Sequence, residues 1–168
     1  QVFRSGADKV SLNTAAINNP SFIEKAAKIY GSSNIIITIE AIKQKDGRYL
    51  AYTENGREHT GIEVVKWAKE IEHLGAGEIL ITSVDRDGTG LGFDTQLCKE
   101  VSESVNIPVI AHGGASKVDH IEDVLKNTDI GGVALCSILH YGFLLENNRV
   151  NQQDYIEEGN INFIKRSK

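Results

Sequence analysis

The sequence predicts an α/β fold of the (β/α)8-barrel type, because short apolar runs alternate with amphipathic segments of helical periodicity. A glycine, a small residue and an apolar strand recur at 6–13 and 75–82, and less closely at 131–137. Such a repeated unit favours a barrel over an open, doubly wound sheet. The chain has 168 residues, whereas a complete barrel usually needs about 250. We therefore expect a partial barrel.

Several apolar runs are predicted to be strands, and the clearest is N-I-I-I-T-I over 34–39, which is β-branched almost throughout. Two turn dipeptides, Asp46–Gly47 and Asn55–Gly56, frame another extended segment, so 43–60 is predicted to contain an inserted β-hairpin. The barrel strands are predicted over 9–13, 34–39, 78–83, 108–111 and 132–136.

Amphipathic segments between these strands predict helices over 20–30, 62–74, 95–104 and 117–127. Three of them follow a side chain that can accept a hydrogen bond from the first helical turn. We expect these N-caps at Asn19, Asp94 and Ser116. The chain is interpreted as one partial-barrel domain over 1–168, which ends in a polar tail over 143–168.

Charge and composition argue against several classes of function. The chain has 18 Lys and Arg residues and 23 Asp and Glu residues, so its net charge is −5. It contains no run of basic residues, which argues against general nucleic-acid binding. No apolar run reaches the length that predicts a membrane-spanning helix. No histidine spacing predicts a metal site, and the sequence implies no cofactor.

The cysteines, Cys98 and Cys136, lie far apart, which argues against a disulfide framework and favours reduced thiols in a cytoplasmic protein. We expect Cys136, at the end of the last strand, to be a core thiol. The sequence begins with Q-V-F-R-S-G, which is not a signal peptide, and contains no Met. We therefore expect a fragment of a longer chain.

The active site of a (β/α) barrel lies at the carboxyl ends of its strands. The residues predicted there are small, acidic or hydrogen-bonding. They are Asn13, Thr14, Glu40, Thr82, Ser83, Asp85, Asp87, His112, Gly113, Gly114 and Ser137. The carboxylates within 83–94 suit binding of sugar hydroxyls, orientation of a substrate or proton transfer. The alternative is a glycine-rich surface loop with solvated charges.

Two phosphate sites are predicted on opposite sides of this barrel mouth. Gly113 and Gly114 follow a strand and precede a helix, where free amides and the helix dipole bind anions, and Ser137 would complete the site. Asn13 and Thr14 would form the second site, which implies an elongated bis-phosphate ligand. The alternative at each place is an ordinary tight turn between strand and helix.

Four longer motifs cover most of the chain. They are G-A-D-K-V-S-L-N-T-A-A over 6–16, G-A-G-E-I-L-I-T-S-V-D-R-D-G-T over 75–89, G-F-D over 92–94 and I-P-V-I-A-H-G-G-A over 107–115. With them the chain resembles the cyclase subunits of imidazole glycerol phosphate synthase, an enzyme of histidine biosynthesis. The resemblance implies the fourth to eighth strands of a TIM barrel. It also implies that a partner glutaminase subunit supplies ammonia, with which the ribulosyl nucleotide PRFAR is converted to imidazole glycerol phosphate and AICAR.

Residue roles also follow from this resemblance. Lys9 and Glu78 match charged residues where ammonia enters the barrel, and Asp8 matches an acidic residue that faces the glutaminase. Asn13 and Thr14 match one phosphate grip. Gly88, Gly114 and Ser137 match the other phosphate grip. Thr82 and Asp87 match residues of the barrel mouth near the substrate.

The chain departs from the family pattern at its candidate catalytic residue. The family uses two aspartates, whereas Glu40 stands at one of these positions and the other is not in this sequence. Glutamate keeps the carboxylate but moves it outward by about 1.5 Å, and a displacement of about 1 Å costs on the order of 100-fold in rate. If the chain belongs to a weakened enzyme of histidine biosynthesis, Glu40→Asp should raise turnover of PRFAR.

Two further differences leave alternatives open. His112 stands where the family usually has serine, and the stretch from Tyr141 onward does not follow the usual family helix. One alternative is a paralogous ammonia-dependent amidotransferase subunit of surface-glycan biosynthesis. The other is a half-barrel without catalytic activity that binds a glutaminase.

Overall fold

A computed structural model describes residues 2–140 of the chain. The chain divides into two compact units, Gln1–Ala134 and Leu135–Lys168. The described part of the second unit is one helical turn, in which the amides of Leu139 and His140 donate to the carbonyl of Cys136. The predicted tail over 143–168 lies outside the described residues.

The first unit is built on a seven-stranded sheet. Its strands are β1 Val10–Leu12, β2 Ile35–Lys43, β3 Tyr49–Thr53, β4 Glu58–Glu63, β5 Glu78–Ser83, β6 Val109–His112 and β7 Gly132–Ala134. The strand order is β4-β3-β2-β5-β6-β7. Strand β1 lies outside this order and pairs with the first residues of β2, whereas β3 pairs with the last residues of β2. Strands β1, β2, β5, β6 and β7 run parallel, at the positions predicted for the barrel strands.

Helices connect the parallel strands, as predicted. They are α1 Thr14–Asn18, α2 Ser21–Tyr30, α3 Val64–His73, α4 Thr95–Ser102 and α5 Val118–Asn127. The short helix α1 was not predicted, and it forms because the carbonyl of Asn13 accepts from the amides of Ala16 and Ile17. The parallel strands and their helices form part of the wall of a (β/α) barrel, open among the described residues.

One of the three predicted N-caps is confirmed. The carboxylate of Asp94 accepts from the amide of Leu97 at 3.1 Å and caps α4. The prediction is wrong for Asn19, whose side chain instead accepts from the hydroxyl of Ser21. It is also wrong for Ser116, because its hydroxyl donates to the carbonyl of Gly90 and α5 begins without a side-chain cap.

The inserted segment is larger than a simple hairpin. Strand β2 runs past its predicted end to Lys43, and its last residues pair antiparallel with β3, which in turn pairs with β4. Helix α3 begins at Val64 rather than at 62 because β4 continues through Glu63. The hydroxyl of Thr60 holds this strand extended by donating to the carbonyl of Ala51 and accepting from the amide of Ile62.

The side chains of strand β2 alternate between the two faces of the sheet. Ile35, Ile37 and Ile39 are at most 1% exposed, on the face that α2 and α3 cover. The alternate residues Thr38 and Glu40 are only half-buried on the opposite face, here called the inner face. Parallel register places side chains of neighbouring strands at matching levels, so polar groups on the inner face can meet across strands.

The two cysteines differ in burial. Cys98 is buried on α4, but Cys136 is exposed, so the expectation of a core thiol at Cys136 is wrong. The reason is that the last strand ends at Ala134, two residues before the cysteine. Over residues 2–140, no helix has the length and apolar character needed to cross a bilayer. The same residues hold no cluster of three or more potential metal ligands.

Candidate active site

Three side chains predicted at strand ends share one level of the inner face. The sheet register pairs Glu40 of β2 with Thr82 of β5, and Thr82 with His112 of β6. The hydroxyl of Thr82 lies 3.2 Å from Nδ1 of His112. The structure therefore brings a carboxylate, a hydroxyl and an imidazole together at the carboxyl ends of adjacent parallel strands.

The carboxylate of Glu40 is held by a backbone group from the inserted segment. Its Oε2 accepts a hydrogen bond from the amide of Gly56 at 2.8 Å. Sequence reasoning placed Gly56 in a turn and gave it no role at the site. The signal available was only its position in the insertion that directly follows the strand carrying Glu40.

The turn between β3 and β4, residues 54–56, lies over several strand ends. Glu54, Asn55 and Gly56 all have positive φ, at 54°, 58° and 76°. The amide of Glu54 donates to the hydroxyl of Thr14 at 3.4 Å. A Cβ at Gly56 would stand 2.9 Å from Val84 Cγ1, so the turn also packs on the residue after β5.

The predicted grip at the end of β1 contains an unsatisfied polar atom. Oδ1 of Asn13 is buried and has no hydrogen-bond partner among the described residues. A buried polar oxygen of this kind needs a partner from a ligand or water. Thr14 lies next to it, and its hydroxyl accepts from the β3–β4 turn.

The loop after β5 places its two aspartates differently. Oδ2 of Asp85 accepts from the amide of Lys43 at 2.8 Å, which ties this loop to the end of β2. Asp87 is exposed beside the predicted glycine loop, and a Cβ at Gly113 would stand 3.4 Å from Asp87 Cα. Gly88 is exposed, and a Cβ there would meet nothing within 4 Å.

The paired glycines after β6 are required by packing. Gly113 and Gly114 have φ of 95° and 99°, a region that disfavours residues with a Cβ. A Cβ at Gly114 would stand 2.2 Å from the carbonyl oxygen of Gly92, whose amide donates to the carbonyl of Gly114 at 2.9 Å. Ser137, predicted to complete this phosphate site, begins the helical turn of the second unit.

A polar pair stands at the opposite ends of the strands. Nζ of Lys9 and Oε1 of Glu78 form an ion pair on the inner face, reaching across β2 from β1 to β5. Their side chains are 44% and 19% exposed. Asp8, which precedes Lys9, is exposed.

A second polar pair lies between the two ends of the inner face. The hydroxyls of Ser11 and Thr38 are 2.5 Å apart. Sequence reasoning missed both residues, although each lies two positions along its strand from a predicted site residue, Lys9 and Glu40 respectively. The inner face therefore carries polar side chains at its bottom, middle and top.

Asp94 fixes the start of α4 near these loops. Besides capping the helix, its carboxylate accepts from the hydroxyl of Tyr49 at 3.0 Å. Burial, and then this hydrogen bond, raise the pKa of Tyr49 above its usual range. Burial also raises the pKa of Cys98 to about 12, with the charge of Asp94 adding to the effect.

An apolar cavity of 510 Å³ lies away from these residues. Its lining includes Phe3, Val10, Phe22 and Tyr30, between β1 and α2. Lys25 is the one charged side chain of its lining, so the cavity holds no carboxylate and no pair of acid and base. The polar inner face is therefore the stronger candidate for an active site.

Known proteins are similar to this chain over most of its length. A family model described as histidine biosynthesis protein matches residues 1–144. The chain is 49% identical over 143 residues to imidazole glycerol phosphate synthase subunit HisF of Pyrobaculum aerophilum. It is 47% identical over 141 residues to the subunit of the same name from Bacillus cereus strain Q1.

These alignments cover 84–85% of this chain and 56% of each relative, so the chain spans about half the length of the curated relatives it matches. The match of the family model to most of the chain decides its classification. The chain belongs to the histidine biosynthesis protein family.

Proposed function

We propose that the complete protein containing this chain is the cyclase subunit of imidazole glycerol phosphate synthase. It would use ammonia to convert PRFAR to imidazole glycerol phosphate and AICAR in the cytoplasm. The observation that carries the proposal is the carboxylate of Glu40, half-buried at the carboxyl ends of parallel strands in a chain of this family. The proposal needs no metal or redox cofactor.

In this proposal Glu40 is the catalytic residue of this chain. With the second carboxylate of the family pair, which is not in this sequence, it would serve as general acid and base in ammonia addition and ring closure. Thr82 and His112 are its neighbours in the register and would contact the substrate. Asp85 and Asp87 would line the same mouth. Because the hydrogen bond of Asp85 to Lys43 already occupies one oxygen, Asp87 is the freer of the two to meet a substrate hydroxyl.

Two phosphate grips would hold the substrate from its ends. The unpaired oxygen of Asn13 supports a ligand contact next to Thr14. The second grip would use backbone groups, together with the hydroxyl of Ser137. Its residues are Gly88, Gly113, Gly114 and Ser137.

Ammonia would enter at the opposite end of the strands, where a glutaminase subunit would bind. The ion pair of Lys9 and Glu78, with Asp8 beside it, supports this assignment because it lies at the amino ends of β1 and β5. The hydroxyls of Ser11 and Thr38 support a path between the two ends, since they supply hydrogen-bonding groups on the same inner face.

The test is turnover of PRFAR by the complete protein with ammonium, compared with its Glu40→Gln variant. Glutamine keeps the size of the side chain and removes its ionisable carboxylate, so we expect a loss of about 100-fold or more. Glu58→Gln, on an exposed residue of β4, is the matched control and should keep full turnover.

Two outcomes contradict the proposal. No turnover of PRFAR by the unaltered complete protein would exclude the histidine reaction. Ammonia-dependent modification of a sugar would then support the surface-glycan paralogue. Binding of a glutaminase without any ammonia-dependent activity would support the non-catalytic alternative.

A further inference from the structure

We propose that Gly56 is a positioning residue, whose backbone amide sets the place and the reactive oxygen of the Glu40 carboxylate. This inference rests on the proposed function, in which Glu40 is catalytic. The direct observation is the hydrogen bond of 2.8 Å from the amide of Gly56 to Oε2 of Glu40.

The turn that carries Gly56 is fixed in place by contacts on two other strand ends. The amide of Glu54 reaches the hydroxyl of Thr14 after β1, and Gly56 packs against Val84 after β5. Glu54 and Asn55 have positive φ without being glycine. Positive φ at consecutive residues is what a tight hairpin turn requires, so the backbone of this turn has a defined geometry.

The hydrogen bond makes the two carboxylate oxygens of Glu40 unequal. Oε2 is engaged by the amide of Gly56, whereas Oε1 accepts no hydrogen bond from residues 2–140. Oε1 is therefore the oxygen whose lone pairs are all free to take a proton from a substrate. Glu40 lies on the inner face, and Thr82 is its partner in the register on the neighbouring strand. A substrate that gives its proton to Glu40 would therefore lie on the inner face.

The same geometry explains the use of glutamate at this position. Aspartate is shorter by one methylene, about 1.5 Å, and from 2.8 Å that distance would break the hydrogen bond to Gly56. This reverses the expectation from the sequence alone. In this chain Glu40→Asp should lower kcat, because the carboxylate loses its anchor.

The main test compares two glycine variants in the complete protein, with PRFAR and ammonium as substrates. In Gly56→Ala the new Cβ would meet Val84 at 2.9 Å, so the turn must shift and carry its amide away from Glu40. We expect kcat to fall about 10- to 100-fold, the range for hydrogen bonds to charged groups, with KM within about twofold. Gly47→Ala is the control.

Gly47 is a matched control because it lies in the turn between β2 and β3 with φ of 90°, and a Cβ there would meet nothing within 4 Å. An alanine at position 47 would have the same kind of backbone strain as an alanine at position 56, without touching Glu40. We expect Gly47→Ala to keep kcat within about twofold. A fall in kcat that is equal in both variants overturns the positioning role.

A second variant keeps the test decisive if Gly56→Ala folds poorly. Gly56→Ala combined with Val84→Ala frees the space that the new methyl group needs, so the turn can return and kcat should recover at least in part. No recovery in a folded double variant, or a higher kcat for Glu40→Asp, also overturns the inference.

Failure of the proposed function gives a different result. If Glu40→Gln turns over PRFAR as fast as the unaltered protein, Glu40 is not catalytic and the proposed function is wrong at that residue. If Glu40→Gln loses turnover while Gly56→Ala behaves like Gly47→Ala, the proposed function stands and the role of Gly56 alone is rejected.

Discussion

The hydroxyl of Thr82 on β5 lies 3.2 Å from Nδ1 of His112 on the neighbouring parallel strand β6. Thr82 is buried and His112 is half-buried, so the contact fixes an imidazole at the edge of the candidate site. Because the hydroxyl of Thr82 engages Nδ1, we expect Nε2 to be the nitrogen that contacts a ligand. The register, rather than sequence proximity, creates this pair.

The first prediction concerns His112. His112→Ala should raise KM for PRFAR about 10-fold and change kcat by less than about threefold, because it removes a binding contact without touching Glu40. Steady-state kinetics of the complete protein with ammonium measure both constants. His73→Ala, at the exposed end of α3, is the control and should change neither. A loss confined to kcat would show that His112 takes part in the chemical step.

Much of the fold follows from local patterns in the sequence. Thr38 and Glu40 alternate with the isoleucines at 37 and 39 of β2, which indicates one buried face and one polar face. The sequence placed Glu40, Thr82 and His112 at the carboxyl ends of their strands, although β2 continues to Lys43 beyond its predicted end. Asp94 was predictable as a cap because it directly precedes the helix, which puts its carboxylate within reach of the amide three residues on, that of Leu97.

Contacts that depend on tertiary packing were not predictable in the same way. The amide of Gly56 reaches Glu40 because the turn rests on Thr14 and Val84, which are distant in sequence. The pair of Ser11 and Thr38 needs the register of β1 on β2.

The N-cap expected at Ser116 failed for a related reason. Its hydroxyl finds the carbonyl of Gly90, in a loop that packs against the start of α5, and this partner competes with the helix amides. Helix propensity and capping preference act locally, so a partner that tertiary packing supplies can replace them.

The second prediction concerns the ion pair of Lys9 and Glu78. Lys9→Met removes the charge that faces Glu78 where ammonia is proposed to enter, so glutamine-dependent turnover should fall about 10-fold or more. Ammonium-dependent turnover should stay within about twofold, because added ammonium does not need transfer from the glutaminase. The measurement compares both nitrogen sources in the complex of the complete protein with its glutaminase.

Lys28→Met is the matched control for this prediction. Lys28 also forms an ion pair, with Glu24, but both side chains are largely exposed on α2, and such pairs contribute little. It should leave both activities unchanged. An equal loss of both activities in Lys9→Met would place Lys9 in the fold or in the chemical step rather than in ammonia transfer.

The third prediction separates packing from backbone strain at two glycines. Gly114→Ala places a Cβ 2.2 Å from the carbonyl oxygen of Gly92, whereas Gly88→Ala meets nothing within 4 Å. Both have positive φ, which costs about 1 kcal/mol for a residue with a Cβ. The collision at Gly114 should add about 2 kcal/mol.

Chemical denaturation of the complete protein measures this difference in the free energy of unfolding. We expect Gly88→Ala to lose about 1 kcal/mol and Gly114→Ala about 3 kcal/mol. Equal losses would mean that the loop of Gly92 moves aside at no cost, and that the hydrogen bond from the amide of Gly92 to Gly114 does not hold it.

The fourth prediction concerns the reactivity of the two cysteines. Burial raises the pKa of Cys98 to about 12, and the thiolate is the form that alkylating reagents attack. At pH 8 we therefore expect iodoacetamide to modify the exposed Cys136 within minutes and to leave Cys98 intact in the native protein. Peptide mapping by mass spectrometry follows each residue separately, and both should react in denaturant.

The same shift makes stability depend on pH, with a sign that can be worked out. The unfolded thiol ionises near its usual pKa of about 8.5, while the native thiol of Cys98 stays protonated until about pH 12. The unfolded state therefore loses its proton first, and the free energy of unfolding contributed by this group falls as pH rises between these values. Cys98→Ala should flatten that fall, whereas Cys136→Ala should leave it unchanged. Rapid labelling of Cys98 in the native protein at pH 8 would contradict its burial in α4.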